Sequence, residues 1–512
     1  MKKNINQFLI ATIACFSIAC SDLQENEPSG FKEEFFKTGN EKLLIQRVGD
    51  PVQHLRLMLD NQKTWEAHEA ATDELVIPTQ GGGWDDGGKW RVMHMHEFTS
   101  SSPVTLEAWK WAFKGVSKCN SVIKLFKEVG GNKVPKYISQ ARTLRAYYYW
   151  HLIDLFGNVP IVTKVDMTDG ISPETSPRKD VYNHIVTELN EVLSDTSFVN
   201  STKTSYGFPT VWMAKALLAK MYLNAEVYGG TPNWDEAIKQ CNDIIASNKF
   251  GYTNDFQSIF RHDNGPQIKE IIFSIVNSTN EKASVMSFPQ RIYPGAFNGY
   301  TKTFGSWNGY HTLPTFYDKY TDANDVRLKS WFVGEEIKWV DGTIMKDKEG
   351  KNIKISKNIR FEVNPNNKFD IGGGAEIQGA RSNKYAYDPT SLDQTQNNDY
   401  VVFRYSDIEL MKAEAEARKA NNPSLALTAV NQLRTIRNAS PLTSLTWNDL
   451  LDERGREFAF EMWRRNDLIR FNKWGDAWGL KPNTQNKPNL KLMPIPVTEI
   501  QINNKLKQNE GY

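Results

Sequence analysis

Residues 211–245 read VWMAKALLAKMYLNAEVYGGTPNWDEAIKQCNDII. Val211 to Tyr228 is a helix-forming run whose small residues Ala214, Ala216 and Ala219 allow a neighbouring helix to come close. Gly229-Gly230-Thr231-Pro232 breaks the chain. Trp234 to Ile245 then resumes helical spacing. A helix, a short turn and a shorter helix cannot bury their apolar faces alone and must stack against similar units. The expected fold is therefore built from stacked helix pairs.

The same pattern extends in both directions. Leu106, Trp109, Phe113, Val116, Cys119, Val122, Ile123 and Phe126 recur at helical spacing. Tyr137 to Leu155 forms a second helix that stops at Phe156-Gly157-Asn158, where Gly157 suits a left-handed terminal residue and Pro160 follows. Ser176-Pro177 opens a third, with the stripe Val181, Ile185, Leu189, Val192 and Leu193. Towards the C-terminus, Ser406-Asp407-Ile408-Glu409 reads as a capping box for a helix to about Ala420. Pro423 precedes another through Arg437, and Trp447 to Phe471 gives one more. The fold class is mainly α, with about four tetratricopeptide-like helix pairs spaced too irregularly for a regular solenoid.

Helical regions at 36–250 and 404–512 flank a loop-rich segment, 251–403. It contains Gly372-Gly373-Gly374, many Asn and Asp, and short alternating runs such as Asn352-Ile353-Lys354-Ile355-Ser356. A second irregular stretch, 78–103, holds Gly81-Gly82-Gly83-Trp84-Asp85-Asp86-Gly87-Gly88-Lys89-Trp90. Long irregular segments in a compact protein are usually functional.

The formal net charge of +2 over 512 residues gives no footprint for nucleic acid, which calls for a strongly basic face. Residues 1–19 read as a cleaved signal. Lys2 and Lys3 supply its charge, and the apolar run Phe8–Ala19 is shorter than the roughly 20 residues that span a bilayer. Ser17-Ile18-Ala19-Cys20 resembles a bacterial lipobox, which makes Cys20 the lipidated first residue. The acidic, polar start of segment 20–35 resembles the tether of surface-exported lipoproteins. Cys119 and Cys241 lie in predicted helices and read as buried thiols, although an exported chain could pair them.

Four blocks, in order, resemble the SusD/RagB-like outer-membrane lipoproteins of Bacteroidetes. They are Ala141-Arg142-Thr143-Leu144-Arg145-Ala146-Tyr147-Tyr148-Tyr149 running into Leu155-Phe156-Gly157-Asn158-Val159-Pro160; Arg404 to Ala415; Glu453 to Glu461 with Arg464, Asp467 and Leu468; and Met493-Pro494-Ile495-Pro496 with the ending Gln508 to Tyr512. The resemblance implies a tetratricopeptide-like scaffold under a loop-rich ligand face. It also implies a lid role on a SusC-like, TonB-dependent outer-membrane transporter barrel, with oligosaccharide or polysaccharide as ligand. RagB-like members handle peptides instead.

Glu453, Glu457 and Glu461 are the strongest catalytic temptation, because i, i+4 spacing puts them on one helix face. Arginines at 454, 456, 464 and 465 interleave with them. That favours an ion-pair network over the raised pKa a general acid needs. His94, His96 and Glu97 lack a third histidine or an HExxH motif and read as a polar strand edge. Asp322, Asn324 and Asp325 lack the glycine and terminal glutamate of an EF-hand. No cofactor is expected, and no catalytic role.

The aromatics of the irregular segments carry the functional reading. Trp84, Trp90, Tyr300, Trp307 and Tyr310 offer rings for the apolar faces of sugars, while Asp85, Asn308 and Arg381 offer partners for hydroxyls. The expected function is capture of a glycan at the outer-membrane surface by a lipid-anchored protein. A peptide ligand, a glycoside hydrolase and a pure protein scaffold are the rival readings.

Overall fold

The computed structural model describes residues 41–512 apart from 62, 166–171, 280–284, 335–336, 363 and 374–376. The signal segment, Cys20 and the tether lie outside the described residues. Among the described residues, eight α-helices precede the first strand: α1 (Glu41–Arg56), α2 (Thr64–Glu69), α3 (Lys89–His94), α4 (Pro103–Val129), α5 (Pro135–Leu155), α6 (Arg178–Leu193), α7 (Val211–Leu223) and α8 (Trp234–Ala246). Then come β1 (Ile271–Ile275), α9 (Phe288–Ile292), α10 (Pro314–Tyr317), β2 (Trp331–Phe332), β3 (Arg381–Ser382) and β4 (Tyr400–Arg404). The chain closes with α11 (Tyr405–Lys419), α12 (Leu427–Ile436), α13 (Trp447–Phe458), α14 (Arg464–Arg470) and α15 (Val497–Ile502).

Each helix from α4 to α8 packs on the next, α8 packs on α11, and α11 on α12. The array is thus continuous across the residues between α8 and α11, which form an insert. From Thr143 to Leu155 every residue of α5 is buried, the mark of a helix surrounded on all sides. Its contact with α4 depends on Gly115, where a Cβ would stand 2.3 Å from the Tyr148 ring. Within the insert, β1 and β4 pair antiparallel, Ile275 opposite Tyr400, and β2 and β3 pair with Phe332 opposite Arg381. Both strands of the first pair are buried along their length, so the insert is welded to the helical core.

Three local expectations differ from the structure. Pro177 precedes α6, and the cap comes from Asn158, whose Oδ1 accepts the Arg178 N–H at 2.8 Å. The expected capping box at Ser406 is absent. Its hydroxyl instead accepts from the Arg404 guanidinium, while Asp407 pairs with Lys220 and Arg454. The expected helix Trp447–Phe471 is broken into α13 and α14. At the break Ala459 is extended, and Phe460 and Met462 take φ of +62° and +69°. Left-handed backbone costs a non-glycine residue on the order of 1–2 kcal/mol, so two in three residues need outside support. Glu74 Oε1 accepts the Phe460 N–H at 2.9 Å, and Glu69 Oε1 accepts the Met462 N–H at 2.5 Å.

Candidate functional site

Backbone pairing brings three irregular segments together. Val76 and His311 exchange N–H···O bonds at 2.8 and 2.9 Å. The Thr79 N–H donates to Phe369, and its carbonyl accepts from Ile371. The Thr312 N–H donates to the Ala380 carbonyl at 3.0 Å. Residues 78–90, 298–311, 369–373 and 377–381 therefore share one ledge.

At its edge stand two indoles. Trp84, held at φ +61°, donates its Nε1–H to the Trp307 carbonyl at 2.7 Å. Its ring lies edge-on to Trp307, centroids 6.1 Å apart, and edge-on to Tyr310 at 5.8 Å. Such edge-to-face geometry suits aromatic quadrupoles. Trp307 is 44% exposed, the only exposed tryptophan among the described residues. Water on a large ring carries a standing hydrophobic cost, so a ring held out in this way is available for contact.

Behind the indoles lies a buried frame. Asn308, at φ +55°, donates Nδ2–H to Gln80 Oε1 at 2.8 Å, and Gln80 returns a bond to the Asn308 carbonyl. Arg381 donates to Asn308 Oδ1 at 2.7 Å, to His311 Nε2 at 2.6 Å and to the carbonyls of Gln378 and Gly379. Burial, then the Arg381 charge, holds the His311 imidazole well below its ordinary range. It is therefore neutral, with Nδ1–H donating to the Gly309 carbonyl at 3.0 Å. Tyr310 is fully buried, stacks on Trp65 with centroids 5.8 Å apart and donates its hydroxyl to Glu66. Burial pushes Glu66 up, against the opposing pull of Arg291 and Tyr310.

The eight candidate residues thus divide. Trp84, Asp85, Tyr300 and Trp307 are at least partly exposed, whereas Asn308, Tyr310 and Arg381 are buried in the supporting frame. Trp90 departs from the expectation of a ligand-facing ring: it is 1% exposed, packed in the core, with its Nε1–H on Asp86 Oδ2 at 2.8 Å. Its loop is short enough to fold into α3, which carries the ring inward. Asp85 accepts from the Thr79 hydroxyl at 3.4 Å. Tyr300 packs 5.7 Å from Trp339. Half-buried Trp339 went unnoticed in the sequence, although Asp341-Gly342 beside it is a hairpin signal; its N–H indeed donates to Thr343 across that turn.

The other constellations are structural. His94 ends α3 and His96 follows at φ +54°, rather than sharing a strand face. Both are buried, His94 against Phe369 and His96 stacked on Trp474 at 4.2 Å. Glu453 meets Arg327, Arg434 and Arg456; Glu457 meets Arg327, Arg404 and Arg437; Glu461 meets Arg404 and Lys384. Glu461 lies beyond the end of α13, so the three do not share a helix face. Asp325 is committed to Arg327, and Asp322 caps Asn324 and Ser440. Cys119 and Cys241 are free and buried. A groove of about 640 Å³ lies elsewhere, between α4 and α15, and none of the ledge residues lines it.

A family model described as the SusD family matches residues 269–512, and one described as "Starch-binding associating with outer membrane" matches residues 89–207. The chain is 25% identical to the starch-binding protein SusD of Bacteroides thetaiotaomicron over 73% of this chain and 72% of that protein. Among solved structures, a SusD superfamily protein from Parabacteroides distasonis superposes with a TM-score of 0.74 at 18% identity, covering 92% of this chain and 99% of its own. Surface glycan-binding protein A from Bacteroides thetaiotaomicron, solved in complex with laminarihexaose, superposes at 0.69 with 21% identity, covering 92% and 99%.

Proposed function

We propose, from the premise that this chain belongs to the SusD/RagB-like family, that it is a surface glycan-binding protein that captures an oligosaccharide or polysaccharide and passes it to a SusC-like, TonB-dependent barrel in the outer membrane. The carrying observation is the exposed Trp307 ring fixed edge-on by half-buried Trp84. A pyranose offers an axial C–H face to such a ring and hydroxyls at its rim. Trp84 and Trp307, with Tyr300 further along the same segment, take the apolar faces in this reading, and Asp85 takes a hydroxyl. Asn308, Tyr310 and Arg381 act through the indoles they hold in place. Trp90 anchors the turn that carries Asp85.

Binding without turnover is the accompanying reading. Burial would raise Glu453, but Arg327, Arg456 and Arg434 outweigh it and hold the carboxyl down at about 2. Glu457 lies well below the usual range because Arg437, Arg404 and Arg327 outweigh its burial. Neither can serve as the protonated acid of a hydrolase at neutral pH. Acylation of Cys20 supplies the anchor in this reading.

A panel of glycans and peptides screened against the purified chain, with the Trp307→Ala variant in parallel, tests the function. Saturable binding of a glycan class that the variant loses supports it. Binding of peptides alone, or equal binding by the variant, overturns it.

A further inference from the structure

Glu66, Glu69 and Glu74 all lie in the core, none more than 1% exposed. Glu66 is matched by Arg291 and Tyr310. Among the described residues, neither Glu69 nor Glu74 forms an ion pair. Each spends one oxygen on a backbone amide of the turn between α13 and α14, Glu69 on Met462 and Glu74 on Phe460. The second oxygen of each, Oε2, is buried without a donor, and the two side chains lie within hydrogen-bond reach of one another.

Two carboxylates can only accept. A proton on one of them makes it a donor to the other, satisfies both orphan oxygens and removes one of two buried like charges. The surroundings do not supply that balance otherwise. Lys384 is committed to Glu461 and to the carbonyls of Glu457 and Ala459. Arg464 is committed to Asp73, whose own charge adds to the repulsion at Glu74. Tyr320, Tyr385 and Tyr400, which also feel these charges, are themselves pushed up by burial and stay neutral.

We propose that Glu69 and Glu74 share a single proton at neutral pH, as an acid–carboxylate pair, and that this proton latches the turn at Phe460–Met462 against α2. The turn backs the ledge: the Phe460 ring lies 5.8 Å from Trp65, which stacks on Tyr310, which abuts Trp84. Burial, the first cause, pushes both carboxyls upward, in keeping with a retained proton. The folded pair keeps a proton that the unfolded chain has lost above its ordinary glutamate range. The latch is therefore at full strength at acid pH and weakens as pH rises towards the folded value.

Infrared spectra of the full chain carrying 13C-glutamate test this. The labelled, protonated-carboxyl carbonyl band is expected at neutral pH and should vanish in Glu69→Gln, whose amide still accepts from Met462 and donates to Glu74. Aspartates, including Asp399, which burial pushes up to about 7, are silent in that label. Hydrogen exchange at the Phe460 and Met462 amides, corrected for intrinsic rates, should lose protection by about tenfold per pH unit through the titration in the natural chain and much less in Glu69→Gln. Absence of the labelled band at neutral pH, or equal pH slopes in the two chains, overturns the proposal. Should that variant fail to fold, Glu74→Gln takes its place, and a band that persists in it, as one from Glu66 would, overturns the proposal.

Discussion

Trp84 closes over Gly309 so tightly that a Cβ on that glycine would stand 2.1 Å from the indole. The ring N–H next to that contact is tied to the Trp307 carbonyl. The absence of one side chain thus sets how both indoles meet solvent. In Gly309→Ala the Trp84 ring must swing outward, which its half-exposed position permits. Glycan affinity should fall about tenfold or more, or about 1.4 kcal/mol, with only a small loss in melting temperature. Unchanged affinity by titration calorimetry would show that Trp84 contributes nothing to the ligand.

Trp307 and Trp90 should behave oppositely when truncated to Ala. Loss of a central aromatic contact costs about 2 kcal/mol or more, roughly 30-fold in affinity, and exposed Trp307 should show that loss with a nearly unchanged melting temperature. Buried Trp90 should lose about 3–5 kcal/mol of stability and keep its affinity in the fraction that remains folded. Calorimetry and thermal melts on the two variants separate the roles. The same signature in both would place the ledge wrongly.

Glu457→Gln removes the carboxylate shared by Arg327, Arg404 and Arg437. Breaking a buried pair from one side costs on the order of 3–5 kcal/mol, so denaturant midpoints should drop sharply. No reducing ends should appear with either chain on any glycan that binds. Turnover abolished by this substitution, with the fold intact, would revive the hydrolase reading.

The same network fixes the response to acid. Glu453 is held at about 2 in the folded chain against an ordinary value of 4.5. A depressed carboxylate adds stability that is present above its unfolded value and lost as pH falls through the folded one. Denaturant stability should therefore fall between about pH 4.5 and about pH 2, and Glu453→Gln should be weaker at neutral pH with a shallower decline. Parallel curves would remove Glu453 as the source.

Cys20→Ala should release the protein from membranes or stall its processing. Gentle detergent extraction of the natural chain should bring down a much larger β-barrel protein. A variant that still partitions with the outer membrane when that partner is absent would refute the lipid anchor.

Local chemistry determined the helical elements. The Gly229–Pro232 break, Gly157 after α5 and the apolar stripes of α4, α6 and α8 all act within one or two turns of chain. Helix type and stacking could therefore be read in order, and so could the two irregular segments that meet at the ledge. Which aromatic faces solvent was decided elsewhere. Trp84 and Trp90 sit six residues apart in the same glycine-rich stretch, yet one meets Gly309 at the surface and the other sinks into the core behind α3. Likewise, a periodic run from Trp447 to Phe471 reads as one helix. Its break at Phe460 comes from Glu69 and Glu74, hundreds of residues away in the chain. Propensity and periodicity report a residue's near neighbours; exposure and backbone strain depend on what the folded chain sets against it, and that appears only once distant segments have packed.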